Sequence, residues 1–459
     1  MLTTNIMLEV IILGAGKGTR MRSSLPKVLH NLAGKPLIHH VIDTARQIGA
    51  AKVHVVVGHD ADAVESAVSA HDVSCHRQTE QLGTGHAVKQ AIPACRPDST
   101  VIVLFGDVPL LTHHTLASVV EMAASGPVVL AAKVEDPSGY GRVVRDGQGL
   151  FARVVEHKDA NEQERELNEI NTGVLAATGE QLASWLNQID NDNSQAEYYL
   201  PDVLGVAIRE GVSVSVVTTG SDEWLGVNDR AQLAHVERAF QAREAFQLMA
   251  AGVGIADPTR IDIRGNVTAG QDVFLDVGVV LEGEVSLGDN VRVEPYVVLK
   301  NCSIGSGTLV NSFSHIEDAS VGNDCQIGPY ARLRPGSELA EGVKVGNFVE
   351  LKNSYMGAGA KANHLAYVGD ATVGANSNIG AGTITCNYDG ANKHKTILGD
   401  RVFVGSNSTL VAPLTVADDG FVAAGSTVTS DIAESQLAVG RAKQRNIDGW
   451  KRPTKEPKD

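Results

Sequence analysis

No stretch of this 459-residue chain comes near the roughly 20 unbroken apolar residues that a membrane-crossing helix requires. The N-terminus has no basic stretch followed by a hydrophobic core, so no secretory signal is expected and the reading is a cytoplasmic protein with no membrane partner. Cysteine is scarce: Cys75, Cys95, Cys302, Cys325 and Cys386 are odd in number, scattered, and never form a C-x-x-C pair. That pattern suggests neither a disulfide framework nor a zinc site and points to reduced thiols. Positive charge is also short, with 39 lysines and arginines against 54 acidic residues and a formal charge of −15. A nucleic-acid partner is therefore not expected, because it needs a broad basic footprint, whereas a small phosphorylated ligand needs only a local cluster.

Apolar residues make up 43% of the chain, which with dispersed charge describes a folded protein long enough for two or three domains. From residue 8 to about 228, short apolar runs (LEVIIL, KVHVVVG, VIVLFGD, GPVVLAAKV) alternate with helix-like patterns at Lys35 to Ile48 and Thr112 to Ala124. This alternation predicts an α/β, Rossmann-like, mostly parallel sheet covered by helices, with ligands at the carboxyl ends of the strands. Asp229 to about Ala251 reads as a helical linker, with Leu233, Val236 and Phe240 at i, i+3 and i+7. The predicted domains are thus 1–228, a 229–251 linker, and 252–459.

The last of these has a different period. Val273, Val279, Val285, Val291 and Val297 recur every six residues, shadowed two positions later by Leu275, Leu281, Leu287, Val293 and Leu299. The device returns from Val321 to Leu351 and from Leu398 to Val428. A six-residue period sustained this long predicts a parallel β-helix, three sides to a coil of eighteen residues, with Gly288, Gly322, Gly346 and Gly374 suited to tight corners. Three interruptions, Asn301 to Asp318, Asn353 to Ala371 and Cys386 to Lys395, are expected to be loops that leave the coil and carry a site. The tail KRPTKEPKD is expected to fray and is given no function.

Directly after the first apolar run comes GAGKGTRMRSSLPK, Gly14 to Lys27. It is not a Walker loop, since Lys17 is followed by Gly18, nor a Rossmann fingerprint, since Gly14, Gly16 and Gly18 are spaced by two. A glycine-rich turn at a strand end still lets backbone N–H groups approach an anion, with Arg20, Arg22 and Lys27 supplying charge. The plain alternative is a turn flanked by solvated basic residues.

Taken together, LGAGKGTR with Pro26-Lys27, then QLGTGHA, FGDVPL, GYGR, VEHKDA, EINTG and GVNDR in order, resemble the family of bifunctional N-acetylglucosamine-1-phosphate uridylyltransferase/glucosamine-1-phosphate acetyltransferases over essentially the whole length. Gly14 stands where that family commonly has alanine, a change expected to be tolerated. The resemblance implies a left-handed hexapeptide β-helix and a two-step synthesis of UDP-N-acetylglucosamine, feeding peptidoglycan and lipopolysaccharide synthesis. In the N-terminal half it implies that Leu13, Gly14, Ala15 and Gly16 meet UTP. Arg20 and Lys27 act catalytically by neutralising phosphates, Gln78, Gly83 and Thr84 read the uracil, and Phe105 and Gly106 also contact the nucleotide. Asp107 and Asn228 hold Mg²⁺, while Gly141, Glu156 and Asn171 contact the sugar. In the C-terminal half it implies that His364, in NHLAY, is the base that takes the proton of the glucosamine amine. Arg334, Lys352, Tyr367 and Asn378 hold glucosamine 1-phosphate. Ala381, Asn387, Tyr388, Ser406, Ala424 and Arg441 meet acetyl-CoA, with the Ala381 N–H facing the oxyanion. A homotrimer with acetyl-CoA sites between neighbours is implied as well.

Without the resemblance these residues have plainer readings. Asp107 can be a turn former, Asn228 the N-cap of the following helix, Glu156 a solvated charge and His364 a structural ring. Two rival functions stand beside the bifunctional one: a single-activity sugar-nucleotide pyrophosphorylase with a scaffolding β-helix, and an assembly protein that has lost both sites.

Overall fold

Leu8–Leu13 is buried at all six positions and pairs in parallel with Lys52–Val57 on one side and Thr100–Phe105 on the other. A strand covered on both faces has no use for alternation, which explains the continuous apolar run. The computed structural model describes residues 7–220 and 222–455. The last four residues of the expected fraying tail lie outside them. The chain divides into two units, Met1–Phe240 and Gln241–Asp459.

In the first unit the main sheet runs Ser215–Thr219, Val128–Lys133, Glu169–Thr178, Thr100–Phe105, Leu8–Leu13, Lys52–Val57, Ser74–Arg77. Only Glu169–Thr178 within that path runs antiparallel to its neighbours. The predicted helices form at Leu37–Gln47 and His113–Ala123, the latter capped by Thr112 Oγ1, which accepts from Thr115 N at 3.3 Å. Their buried Ile38, Val41, Leu116 and Val119 cover one face of the sheet. Val88, Leu182, Trp185 and Leu204 cover the other. Each such side chain contributes roughly 1.5–3 kcal/mol by burial.

The helix Arg230–Ala250 contains the boundary between the units. Leu233, Val236 and Phe240 pack with Met21, Leu32 and Leu37 in the first unit. Ala245 and Leu248 belong to the core of the second.

The second unit is a parallel β-helix. An eleven-stranded sheet forms one side, and a second sheet, continuous through Val298–Ile304, forms the other two. The six-residue columns point inward: Val273, Leu275, Val279 and Leu281 are buried, as are Ile327, Leu333 and Val345.

Two expectations are corrected. The first two interruptions are not loops. Val298 pairs with His315 and Lys344 with Lys361, so the strands stay stacked across a coil one residue short. The missing residue is taken up at a corner, where Asn301 (φ 44°) and Asn353 (φ 48°) turn left-handed. Only Cys386 to Lys395 leaves the coil, Ala371 pairing next with Thr396. The named glycines do not supply left-handed corners either. Those positions hold Asp, Asn and aromatic residues, such as Asn290, Asp324, Tyr330 and Phe348, and other glycines, such as Gly278 and Gly307. Gly346 is required because the next coil lies against it, the Asn363 carbonyl standing 1.9 Å from where a Cβ would be.

Two candidate active sites

The carboxyl ends of Leu8–Leu13 and Thr100–Phe105 are joined by Gly106 N donating to Leu13 O (2.9 Å), and Gly14 N donates to Val56 O (2.8 Å). These turns open a cavity of about 220 Å³ lined by Leu13, Gly14, Ala15, Gly16, Lys27, Gln78, Gly83, Thr84, Phe105 and Asp107. Val28, Gln81, Ala87 and Glu197 complete the wall and were not anticipated. A Cβ on Gly14 would stand 3.4 Å from its nearest neighbour, ordinary contact, so alanine fits there too. Gly83, in contrast, has φ 107° and would place a Cβ 2.6 Å from Tyr198 O. Gly18 is left-handed (φ 58°) ahead of the turn Thr19–Met21, which carries Arg20 back toward the cavity.

At the mouth four predicted residues converge. Lys27 Nζ pairs with Asp107 and donates to Asn228 Oδ1 at 3.2 Å, while Arg20 donates to the same oxygen at 3.0 Å. Arg22 is exposed. Asn228 is not the helix cap: Asp229 Oδ1 accepts from Gln232 N at 2.8 Å, leaving the Asn228 amide to the site. Two hard oxygen donors, one a carboxylate, stand beside two cations, a set that fits a divalent ion accompanied by phosphates.

Gly141, Glu156 and Asn171 are also brought together, Asn171 N donating to Gly141 O at 2.8 Å and Glu156 Oε1 lying 3.1 Å from a Cβ built on Gly141. Glu156 is not a free surface charge: burial, reinforced by Asp202 and Asp159, pushes its pKa up. The pKa of Tyr140, the residue before Gly141, is raised by burial and by the Asp107 charge, and its ring stands edge-on to Trp224 at 5.0 Å. Neither aromatic was anticipated.

On the β-helix, His364 ends the strand Lys361–His364 and is exposed. Its Nδ1 lies 2.9 Å from Asn347 Oδ1, a residue in register one coil below. Because the amide oxygen can only accept, the contact calls for Nδ1 as the donor, which in the neutral ring leaves Nε2 with its lone pair. One coil above, Gly382 N donates to Leu365 O (3.1 Å), setting Ala381 next to that corner; Ser406, Ala424 and Arg441 follow in the coils beyond, Arg441 donating to Ala424 O.

Around the next corner lies a charged group. Arg334 donates to Glu350 Oε1 at 2.8 Å, and Lys352 Nζ is 3.9 Å from Asp370 Oδ2. Tyr367 follows Glu350 in register. The Lys393 ammonium, which was not anticipated, faces that of Lys352 and its pKa is lowered by it. Lys393 belongs to the Cys386 to Lys395 excursion, whose shape Asp389 fixes by accepting from Asn392 N (2.6 Å), Ala391 N (2.8 Å) and His394 (2.7 Å). Asn387 lies buried against Asp370, with Tyr388 exposed beside it. The predicted acetyl-CoA residues thus fall in two places: Ala381, Ser406, Ala424 and Arg441 beside the His364 corner, and Asn387 and Tyr388 beyond the strand Ile384–Cys386. Asn378 lies on the eleven-stranded side, Tyr367 on another.

The two folds with these two clusters define a nucleotidyltransferase joined to a hexapeptide-repeat acyltransferase. Residues 10–181 match the MobA-like NTP transferase domain, and residues 263–349 match the GMPPB C-terminal domain. The chain is 52% identical to the bifunctional protein GlmU of Marinobacter nauticus over 98% of its length and 99% of the relative's. It is also 52% identical to the bifunctional protein GlmU of Cellvibrio japonicus, over 98% and 100% respectively. The chain belongs to the bifunctional GlmU family. It is an enzyme of UDP-N-acetylglucosamine synthesis with both UDP-N-acetylglucosamine diphosphorylase and glucosamine-1-phosphate N-acetyltransferase activity.

Proposed function

We propose that the two activities are carried by the two clusters as follows. In the first unit, the Gly14 to Gly16 backbone and Gln78, Gly83 and Thr84 seat UTP, and Gly141, Glu156 and Asn171 seat N-acetylglucosamine 1-phosphate. The sugar phosphate oxygen attacks the α-phosphorus and pyrophosphate leaves, with Arg20 and Lys27 neutralising charge on the phosphates. Such a transfer depends on positioning and electrostatics more than on acid–base groups. Asp107 and Asn228 would hold Mg²⁺, which supplies further neutralisation of phosphate charge when bound. The Lys27–Asp107 pair supports this reading, since it sets a cation beside a carboxylate at the wall of the cavity.

In the second unit, His364 Nε2 accepts the amine proton of glucosamine 1-phosphate, the nitrogen attacks the acetyl carbonyl carbon, and CoA leaves as its thiolate. Two facing ammonium groups, Lys352 and Lys393, with Arg334 nearby, suit the sugar phosphate. Acetyl-CoA lies along Ala381, Ser406, Ala424 and Arg441.

The assembly is a homotrimer, and each acetyl-transfer site closes between neighbouring copies. Two observations support this. The assigned residues are divided between different sides of one β-helix, which a ligand joins only when a second copy faces the first. In addition, Tyr296, Phe313, Tyr330 and Phe348 form an exposed column of stacked rings (5.4, 4.9 and 5.2 Å) that runs up to Leu365, beside His364. Exposed apolar surface of this extent marks an interface. No described helix is long and apolar enough to cross a membrane, and the cytoplasm is the proposed location.

The observation that carries the assignment is the His364–Asn347 bond on one unit with the Lys27–Asp107–Asn228 group on the other. Its test is one assay with glucosamine 1-phosphate, acetyl-CoA, UTP and Mg²⁺, following CoA thiol and pyrophosphate separately. His364→Ala is expected to stop thiol release while pyrophosphate still forms from supplied N-acetylglucosamine 1-phosphate. Asp107→Ala is expected to do the reverse. Loss of pyrophosphate release from supplied N-acetylglucosamine 1-phosphate in His364→Ala, or loss of thiol release in Asp107→Ala, would contradict two independent sites.

A further inference from the structure

We propose that Asp370 is a positioning residue that ties the phosphate-binding Lys352 to the Cys386 to Lys395 excursion, so that both substrates of acetyl transfer depend on one buried carboxylate. This rests on the phosphate and acetyl-CoA roles given above.

Asp370 is 6% exposed and stands at a left-handed corner, φ 48°. A buried carboxylate must have its lone pairs met, and here each oxygen has a different duty. Oδ1 accepts from Asn353 Nδ2 at 2.6 Å, which fixes the corner of the coil below. Oδ2 accepts from Asn387 Nδ2 and also lies 3.9 Å from Lys352 Nζ. The Asp370 carbonyl accepts from Thr396 N at 3.2 Å, so both ends of the excursion return to this one residue. Burial alone would raise its pKa; the bonds from Asn353 and Asn387 and the charges of Lys352 and Lys393 outweigh that and hold it low.

The electrostatic consequence concerns the lysines. Lys352 and Lys393 face each other, with Tyr367 close enough to bear on Lys393, and Asp370 is the carboxylate placed against the pair. Two ammonium groups in contact repel, and one buried anion offsets much of that repulsion. Without it, one ammonium loses its proton at a lower pH, and the site loses a phosphate partner there.

Asp370→Asn is the informative substitution, because asparagine tolerates the left-handed corner and keeps the shape while removing the charge. Its amide can accept on one side only, so either Asn353 or Asn387 is left facing an N–H group. The full chain carrying this change is expected to lose roughly ten- to hundredfold in kcat/KM toward both glucosamine 1-phosphate and acetyl-CoA. The alkaline limb of the kcat/KM profile for glucosamine 1-phosphate is expected to move down by about one pH unit or more. A merely structural loss would lower the profile without moving the limb, and an unmoved limb overturns the proposal.

A double-mutant cycle with Lys352→Ala keeps the test independent of any general loss of folded protein. Asp370→Asn is expected to add little to the glucosamine 1-phosphate defect once Lys352 is gone. Additive losses overturn the proposal. If Lys352→Ala by itself leaves that kcat/KM unchanged, the phosphate assignment fails first and Asp370 falls with it. A strong Lys352→Ala effect beside a silent Asp370→Asn rejects Asp370 alone.

Discussion

Asn347 Oδ1 holds the imidazole of His364 through Nδ1, at 2.9 Å, across one full coil of the β-helix. The bond fixes both the tautomer and the direction of Nε2. In its proposed role as general base, such a ring contributes about 10²–10⁴-fold. His364→Ala is therefore expected to cut kcat for acetyl transfer by that range. Asn347→Ala leaves the imidazole in place but free to turn, and is expected to cost roughly tenfold in kcat with the KM for acetyl-CoA little changed. A KM effect without a kcat effect would assign Asn347 to substrate binding.

Chelation separates the halves. With EDTA in excess, pyrophosphate release is expected to stop while CoA thiol release continues, because the proposed Mg²⁺ ligands Asp107 and Asn228 belong to the first unit. Thiol release that also stops would mean that acetyl transfer has a metal requirement of its own.

The proposed trimer makes a prediction of its own. Phe348 is 56% exposed and stacks on Tyr330 at 5.2 Å. Phe348→Asp places a charge in the proposed interface and is expected to give a monomer by light scattering, with acetyl transfer lost and uridylyl transfer kept. A monomer with full acetyl transfer would refute the shared site.

Asp202 gives a pH signature. Its pKa is pushed up to about 6, by burial first and then by Asp190 and Asp159. A carboxyl that binds its proton more tightly in the folded state than in the unfolded one costs stability as pH rises from about 4 to about 6, and the cost persists above. Asp202→Asn removes it, so a gain of about 1–2 kcal/mol is expected at pH 7.5 and almost none at pH 4, read from thermal unfolding at both. Equal gains at the two pH values would trace the effect to something other than the charge.

What could be read from the chain alone follows from how local each signal is. The columns led by Val273 and Val321 were legible because an inward side chain every six residues is written into adjacent positions. LEVIIL was legible because a strand buried on both faces is apolar throughout. The Asn228 alternatives were not separable, since whether it or Asp229 caps the helix depends on where Arg20 and Lys27 arrive from far away in sequence. Asn347, Lys393 and Asp370 were silent for the same reason: each matters through a neighbour one or two coils away, and a coil can be 17, 18 or 25 residues long. The two apparent loops at Asn301 and Asn353 show the reverse error, in which a lost beat in the period reads as an excursion although a corner absorbs it.

That absorption at the corners bears on how such a protein changes over generations. Ala371 meets Thr396 and Asn378 meets Phe403 in unbroken parallel register, although the chain between has gained a loop. Insertion at a corner therefore leaves every coil above it in step, whereas insertion within a side would turn inward residues outward from that point on. New loops, and the chemistry they bring, can be added to this scaffold one corner at a time without rewriting the rest of its sequence.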